Sequence, residues 1–509
     1  MKKNLSLFLT AFLFTLIVCA VLLRFTLFGM SFEYDELFTA ITTDPSLSFG
    51  WIWSNWLVVD VHPPLYNALL WVYNHFVPYG PELWLRLPSV VFSLGALACG
   101  WFLFPRRFGK TARLLFVALL AGNMYTILYA QHARAYALML LFSVPLTFWF
   151  LDMSRSVWRG KTISRGRWLA FGLVSLGLAW SHYFGTMLVG VFYILLFLQA
   201  WRYKRNLTPF LLVPAVVGVL FLPWFIPNLQ AQFEFRRFEG NWWANDMEMT
   251  RAPVALARFF FFSPWGRWLM GALLALGAAW RIWHRWRMGR WGGYVRELAL
   301  LGLSALLVIG GAALLSLKAY MFIGRYFTEL LPAVYLFCVL LLLPLVRKSL
   351  LFRAALILVV AAEVFMYAMS HRGMLIPTEM PARLTSQFYR DYFAGREIMV
   401  VAMEAFPPAS MPAMYGFYPN KVYGLNAKVT ELVSLPEEER ELALKRRDQA
   451  FVFMPNCTEN KLYELSRRWE RFAGVYMRLG GTCVLGFSEK GEIPPELQEA
   501  SARGSSENK

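Results

Sequence analysis

The sequence predicts a mainly α, polytopic membrane helix bundle of about 11 to 13 spans, with a small extracytoplasmic α/β domain at its C-terminal end. Two observations carry this. Of 509 residues, 58% are hydrophobic and 17% aromatic, and only 16% are charged, against about 25% charged in a soluble domain. The apolar residues also arrive in long runs, and about 20 such residues in a helix cross a bilayer core.

Taken in order, the apolar runs cover residues 6–29, 87–104, 113–129, 136–153, 168–181, 184–201, 209–226, 266–282, 298–317, 328–346 and 350–369. The first follows Lys2 and Lys3, as a signal peptide would. It lacks a small-x-small cleavage site and reads as a retained helix. Basic residues separate the runs in clusters: Arg106, Arg107, Lys110 and Arg113, then Arg155, Arg159, Lys161, Arg165 and Arg167, then Arg202, Lys204 and Arg205. Further on come Arg281, Arg285, Arg287, Arg290 and Arg296, and finally Arg347, Lys348 and Arg353. Short basic connections mark the cytoplasmic side. Residues 30–86, 129–135, 182–183, 227–265, 318–326 and everything from His371 then face outward, in a multi-pass cell (inner) membrane protein.

The net charge of +18 is therefore topological, and no basic domain with interleaved aromatics exists to bind nucleic acid. Residues 31–80 form the first external loop. Trp51, Trp53 and Trp56 suit amphipathic helices lying at the membrane–water interface. Residues 64–79 read as a short interfacial helix, because a full crossing would turn the later basic clusters outward.

Residues 1–370 thus make the membrane domain. Beyond them charge returns to ordinary density, and short apolar runs at 398–403, 450–454 and 482–487 are bounded by polar and turn-forming residues, as strands are. Helical stretches at 435–447 and 459–472 alternate with them, giving an α/β domain over 371–490. Residues 491–509 are polar and Ser-rich, the composition of a disordered tail. Cys19, Cys99 and Cys338 lie in apolar runs as small hydrophobes. Cys457 and Cys483 could pair.

Ionisable residues at membrane depth are costly and mark function. On the outer face they are Asp35 and Glu36, Asp60 and His62, Arg86, Arg134, His182, Lys318 and Arg325. Asp35-Glu36 is either a solvated pair marking a helix end or a general base for an acceptor hydroxyl or amine. His62, before Pro63-Pro64, could ligate a metal, cap the next helix or touch a phosphate. The nearby cations favour phosphate. Lys318 and Arg325, the latter followed by Tyr326, run against the positive-inside bias, so a fixed anion explains the two cations better than snorkelling. Arg134 with Tyr136, and His182 with Tyr183, offer similar partners.

The succession Tyr34-Asp35-Glu36, His62-Pro63-Pro64-Leu65-Tyr66, Arg86-Leu87-Pro88-Ser89, Arg134-Ala135-Tyr136, Ser181-His182-Tyr183 and Arg325-Tyr326 resembles that of the bacterial GT-C glycosyltransferases. These are relatives of the protein O-mannosyltransferases and of lipid A aminoarabinose transferase. The resemblance covers about residues 1–370. It implies a membrane transferase that takes a sugar from a polyprenyl-phosphate donor to a glycolipid, glycan or protein acceptor. Asp35 would be the base and Glu36 its helper, with His62, Arg86, Arg134, Tyr136, His182, Tyr183, Lys318, Arg325 and Tyr326 binding substrate. No cofactor is required by this reading, and a divalent metal would find Asp35 and His182 as ligands.

Two other readings compete. A flippase of lipid-linked envelope precursors also needs interfacial cations, but would show paired halves or interrupted helices. A membrane scaffold would tolerate Asp35→Asn and not the loss of its tail.

Overall fold

A computed structural model of the chain describes residues 2–238, 249–289, 293–317 and 321–374, and parts of 397–487. The helices are α1 (Lys2–Leu22), α2 (Tyr34–Ile41), α3 (Phe49–Ile52), α4 (Leu65–Asn74), α5 (Glu82–Phe102), α6 (Lys110–Gly122), α7 (Met124–Tyr129) and α8 (Tyr136–Arg159). They continue as α9 (Arg165–Ala179), α10 (Tyr183–Arg202), α11 (Thr208–Phe238), α12 (Ala252–Phe260), α13 (Pro264–Met288), α14 (Val295–Ser316), α15 (Leu331–Lys348) and α16 (Leu350–Met374). The strands are β1 (Glu397–Ala402), β2 (Val429–Glu431), β3 (Gln449–Met454), β4 (Phe472–Leu479) and β5 (Thr482–Phe487).

Contacts divide the chain into two units. One comprises Met1–Thr26, Val61–Tyr66 and Arg86–His371; the other comprises Leu27–Asp60, Asn67–Leu85 and Arg372–Lys509.

The first unit is a helix bundle. Among the described residues eight helices are long and apolar enough to cross a membrane, and the bent pair α12–α13 could supply a ninth. The protein is an integral, multi-pass membrane protein. Two of the predicted spans take another form. Residues 113–129 break at Asn123 into α6 and α7, and residues 168–181 are the 15-residue α9. The apolar stretches of α8 and of the span ending in α15 are 78% buried, whereas those of α1 and α11 are 22% buried. The former are the bundle's core and the latter its lipid-facing edge, with Leu212, Val219 and Leu220 exposed on α11.

Backbone breaks inside apolar surroundings require internal partners, and polar side chains supply them here. Asn123 caps α7 by accepting from Thr126 N–H at 2.9 Å, while its amide donates to the carbonyls of Phe259 and Phe260 at 3.1 and 3.2 Å. Across the 91° bend between α12 and α13, the Glu363 carboxyl accepts the N–H groups of Phe262 and Ser263 at 3.0 and 2.8 Å. Buried Arg24 donates to Ser93, Ala20 O, Ala121 O and Thr126 at 2.6–3.1 Å, tying the end of α1 to α5 and to the α6–α7 break. Glu363→Ala leaves two backbone donors unpaired in a dry setting. It should cost about 2–4 kcal/mol, seen as a lower melting temperature in detergent, with Glu363→Gln intermediate.

The second unit joins the external loop to the tail. The segment predicted as an interfacial helix is α4, whose 10 residues rise only about 15 Å, too short to cross. Loop and tail meet where the Phe417 ring packs on Phe32 and Tyr79, each at 5.8 Å, and Lys421 pairs with Asp44 at 2.8 Å. Tyr79 donates to Ala40 O at 2.6 Å; burial and the Asp44 charge push its phenol well above the usual value, which keeps it a donor.

The sheet has the order β2-β1-β3-β5-β4, with β1 parallel to β2 and β3, and β5 antiparallel to β3 and β4. The three apolar runs read as strands are β1, β3 and β5. Cys457 and residues 491–509 lie outside the described residues, as does nearly all of the stretch 459–472.

Candidate active site

In the bundle, four stretches converge on one end. The first is Val61–Tyr66, where Pro63-Pro64 fixes an extended approach to α4. Its Leu65 N–H donates to Trp180 O at 3.1 Å, and the hydroxyls of Tyr66 and Ser89 lie 2.7 Å apart. This pins His62 between the end of α9 and the start of α5. The second is the turn before α8, which carries Arg134. The third is the α9–α10 corner, kept tight by Gly185: a Cβ there would lie 2.6 Å from Leu178 O. The fourth is the 3₁₀ turn Gly324–Leu330 before α15, which carries Arg325 and Tyr326.

The side chains meet as a cationic and aromatic cluster. Arg134 donates to His62 Nδ1 at 3.2 Å. The His62 and His182 ring centres are 5.1 Å apart, and Tyr326 lies 4.9 Å from His182 and 6.0 Å from His62. Tyr136 stands 6.2 Å from His182.

His182 is the N-cap of α10, and its Nδ1 accepts the Phe184 N–H at 3.2 Å. An accepting Nδ1 carries no proton, so the neutral ring holds its proton on Nε2. That Nε2 is buried and has no hydrogen-bond partner among the described residues. Burial first, and then the neighbouring His62, Arg134 and Arg325, hold the His182 imidazole well below its ordinary range. The cluster thus offers a neutral N–H donor amid fixed positive charge, an arrangement that suits an oxyanion.

The depressed value has a sign. Below about pH 6.5 the unfolded chain protonates His182 and the folded one does not, so folding stability declines by about 1.4 kcal/mol per pH unit until the folded value is reached. Acidification from pH 7 to pH 5 should lower the melting temperature of the native protein more than that of His182→Gln.

The remaining predicted residues distribute as follows. Arg86 is buried on α5, one turn before Ser89. Tyr183 turns toward α11, where its hydroxyl donates to Asn228 Oδ1 and its ring packs near Phe221 and Phe225; it does not share the cluster with its neighbour His182. Lys318 lies outside the described residues.

Asp35 and Glu36 belong to the other unit, in the first turn of α2. Glu36 is fully buried and closes a capping box, its carboxylate accepting the Glu33 N–H at 3.0 Å. Asp35 is half-buried. Among the described residues no three His, Cys, Asp or Glu gather as a metal site. His182 is surrounded by positive charge, which fits an anion.

Three of the buried ionisable residues without a predicted role stand out within the bundle. Arg24 and Glu363 stitch the helix breaks, and Glu329 sits fully buried in the Gly324–Leu330 turn with neither carboxyl oxygen hydrogen-bonded among the described residues. All three stand inside or beside apolar runs, which was the available signal.

No protein-family model matches the chain, and no curated protein is similar in sequence. Solved structures are similar in fold. The crystal structure of ArnT from Cupriavidus metallidurans in the apo state matches with a TM-score of 0.57 at 13% identity, over 95% of this chain and 99% of that one. The structure of the same protein bound to undecaprenyl phosphate matches with a TM-score of 0.57 at 14% identity over the same shares. The chain therefore shares the fold of these structures, a polytopic helix bundle.

Proposed function

We propose that the protein transfers a sugar from a polyprenyl-phosphate-linked donor to an acceptor at the extracytoplasmic face of the cell membrane. The observation that carries this reading is the convergence of Arg134, His62, His182, Arg325, Tyr136 and Tyr326 at one end of the bundle. Fixed cations and an unpartnered N–H match the phosphate of such a lipid. The fold likeness to ArnT, one structure of which holds undecaprenyl phosphate, supports the same donor chemistry. The basic connections between spans support an outward site.

The reaction is a displacement at the anomeric carbon. The acceptor's oxygen or nitrogen forms the new bond to that carbon as the bond to the phosphate oxygen breaks. Polyprenyl phosphate leaves with the electron pair, and the cationic cluster stabilises its growing charge. Preorganised charge of this kind is often the largest catalytic term. Asp35 takes the acceptor's proton, and a single step inverts the anomeric centre. Glu36, occupied by its capping box, serves by holding that turn. The sugar is a hexose, pentose or aminosugar, and the acceptor is a glycolipid, glycan or protein.

The test is a transfer assay on purified, reconstituted protein, with polyprenyl-phosphate hexoses, pentoses and aminosugars offered against membrane extracts. Polyprenyl phosphate should appear in step with glycosylated acceptor. Movement of intact donor across the bilayer with no glycosidic bond broken would establish a flippase instead.

A further inference from the structure

A second constellation lies at the opposite end of α8, in the turn that joins it to α9. Gly160, at φ 72° and ψ 18°, closes α8, and Lys161 N–H donates back to Ser156 O at 2.9 Å. Ser164 then caps α9 by accepting from Arg167 N–H at 3.3 Å. The turn is fixed at both ends and borders an open pocket of about 390 Å³ lined by Asp152, Arg155, Arg159, Lys161, Ser164 and Arg167.

Charge in this pocket is unbalanced. Its single carboxylate, Asp152, is already held by Arg107 and by Arg167 at 3.6 Å. Arg155, Arg159 and Lys161 have no ion-pair partner among the described residues. Cations placed only to orient a helix would spread into water, where mutual repulsion is least. Here they share the wall of one concave site. Arginine forks fit phosphate oxygens two at a time, and basic pockets between membrane helices take anionic head groups. The helices that flank it also expose apolar side chains, Trp158 on α8 at 42% and Leu169 on α9 at 65%, as suits a turn at the bilayer surface.

We propose that the α8–α9 pocket is a phosphate-binding site, separate from the transfer site, that takes the phosphodiester head group of an anionic membrane lipid or a free phosphate ion. The 24 residues of α8 place it roughly 35 Å from Tyr136. Occupancy stabilises the α8–α9 hairpin by bridging Arg155 and Arg159 on α8 with Lys161 on the turn.

Full-length protein is placed in phosphatidylcholine nanodiscs with and without phosphatidylglycerol, and with inorganic phosphate in a third arm. Melting temperature and lipid retained in native mass spectrometry are read for the native chain, for R155Q/R159Q/K161Q and for K161E. Phosphatidylglycerol should raise the melting temperature of the native protein. Retention should weaken about fivefold per cation removed, and K161E, at an exposed position, should weaken it further than loss of one charge alone. Stabilisation by inorganic phosphate alone, lost in the variants, assigns the site to the free ion. A native chain indifferent to both anions, or variants that keep the native preference, overturns the proposal.

Discussion

Asp35→Asn should lower sugar transfer by about 10²–10⁴-fold, the contribution of a positioned general base, with donor binding and melting temperature nearly intact. The amide is isosteric and half-buried, so packing survives. What it loses at the start of α2 is a favourable charge at a helix N-terminus, worth about 0.3–1 kcal/mol. Glu36→Gln is the informative contrast. Its carboxylate is fully buried and accepts Glu33 N–H, and the capping box tolerates glutamine at that place. Glu36→Ala removes the acceptor, costs about 1 kcal/mol of local stability and disturbs the turn that carries Asp35. Transfer assays at saturating donor, run beside thermal melts, separate the two carboxylates. If Asp35→Asn turns over normally, the base lies elsewhere; if Glu36→Gln is as inactive as Asp35→Asn, both carboxylates take part in proton transfer.

The order of helices was legible because bilayer thickness imposes a length on apolar runs that composition alone reveals. The breaks were not. Residues 113–129 read as one apolar run, yet Asn123 divides it, since an asparagine side chain can cap a helix and donate to two distant carbonyls at once. Nothing local in the sequence announces those carbonyls, which come from Phe259 and Phe260 more than a hundred positions away. The site was legible in part for the same reason. His62, Arg134, His182 and Arg325 stood out as polar residues at membrane depth, and one-sided topology was enough to group them. Direction of side chains was not available. Adjacent residues at a helix start point apart by about 100°, so His182 faces the cluster while Tyr183 reaches Asn228 on α11. Arg24 and Glu363 belong to the same class of signal and turned out to hold the scaffold together, because a buried charge with a full set of hydrogen bonds and a buried charge awaiting a ligand look alike in one dimension.

Arg134→Gln should lower transfer by about 10²–10³-fold, the cost of removing one preorganised donor from a developing oxyanion, together with weaker donor binding. In the proposed reaction Arg134 acts twice: its guanidinium is a charge for the phosphate, and its donation to His62 Nδ1 at 3.2 Å leaves the His62 proton on Nε2. Glutamine keeps a donor for the histidine and removes the charge, so a loss in this variant reports the charge. Arg134→Lys keeps the charge without the fork and should recover part of the activity. A second readout separates an electrostatic role from a packing role. The Arg134 charge is one of the causes, after burial and His62, that hold His182 below its ordinary range. Without it the folded-state value rises toward the unfolded one, and the window in which acid destabilises the protein narrows. The drop in melting temperature from pH 7 to pH 5 should therefore be smaller in Arg134→Gln than in the native chain. An Arg134→Gln variant with weakened donor binding and an unchanged acid profile would mean that Arg134 shapes the pocket by contact and that its field does not reach His182.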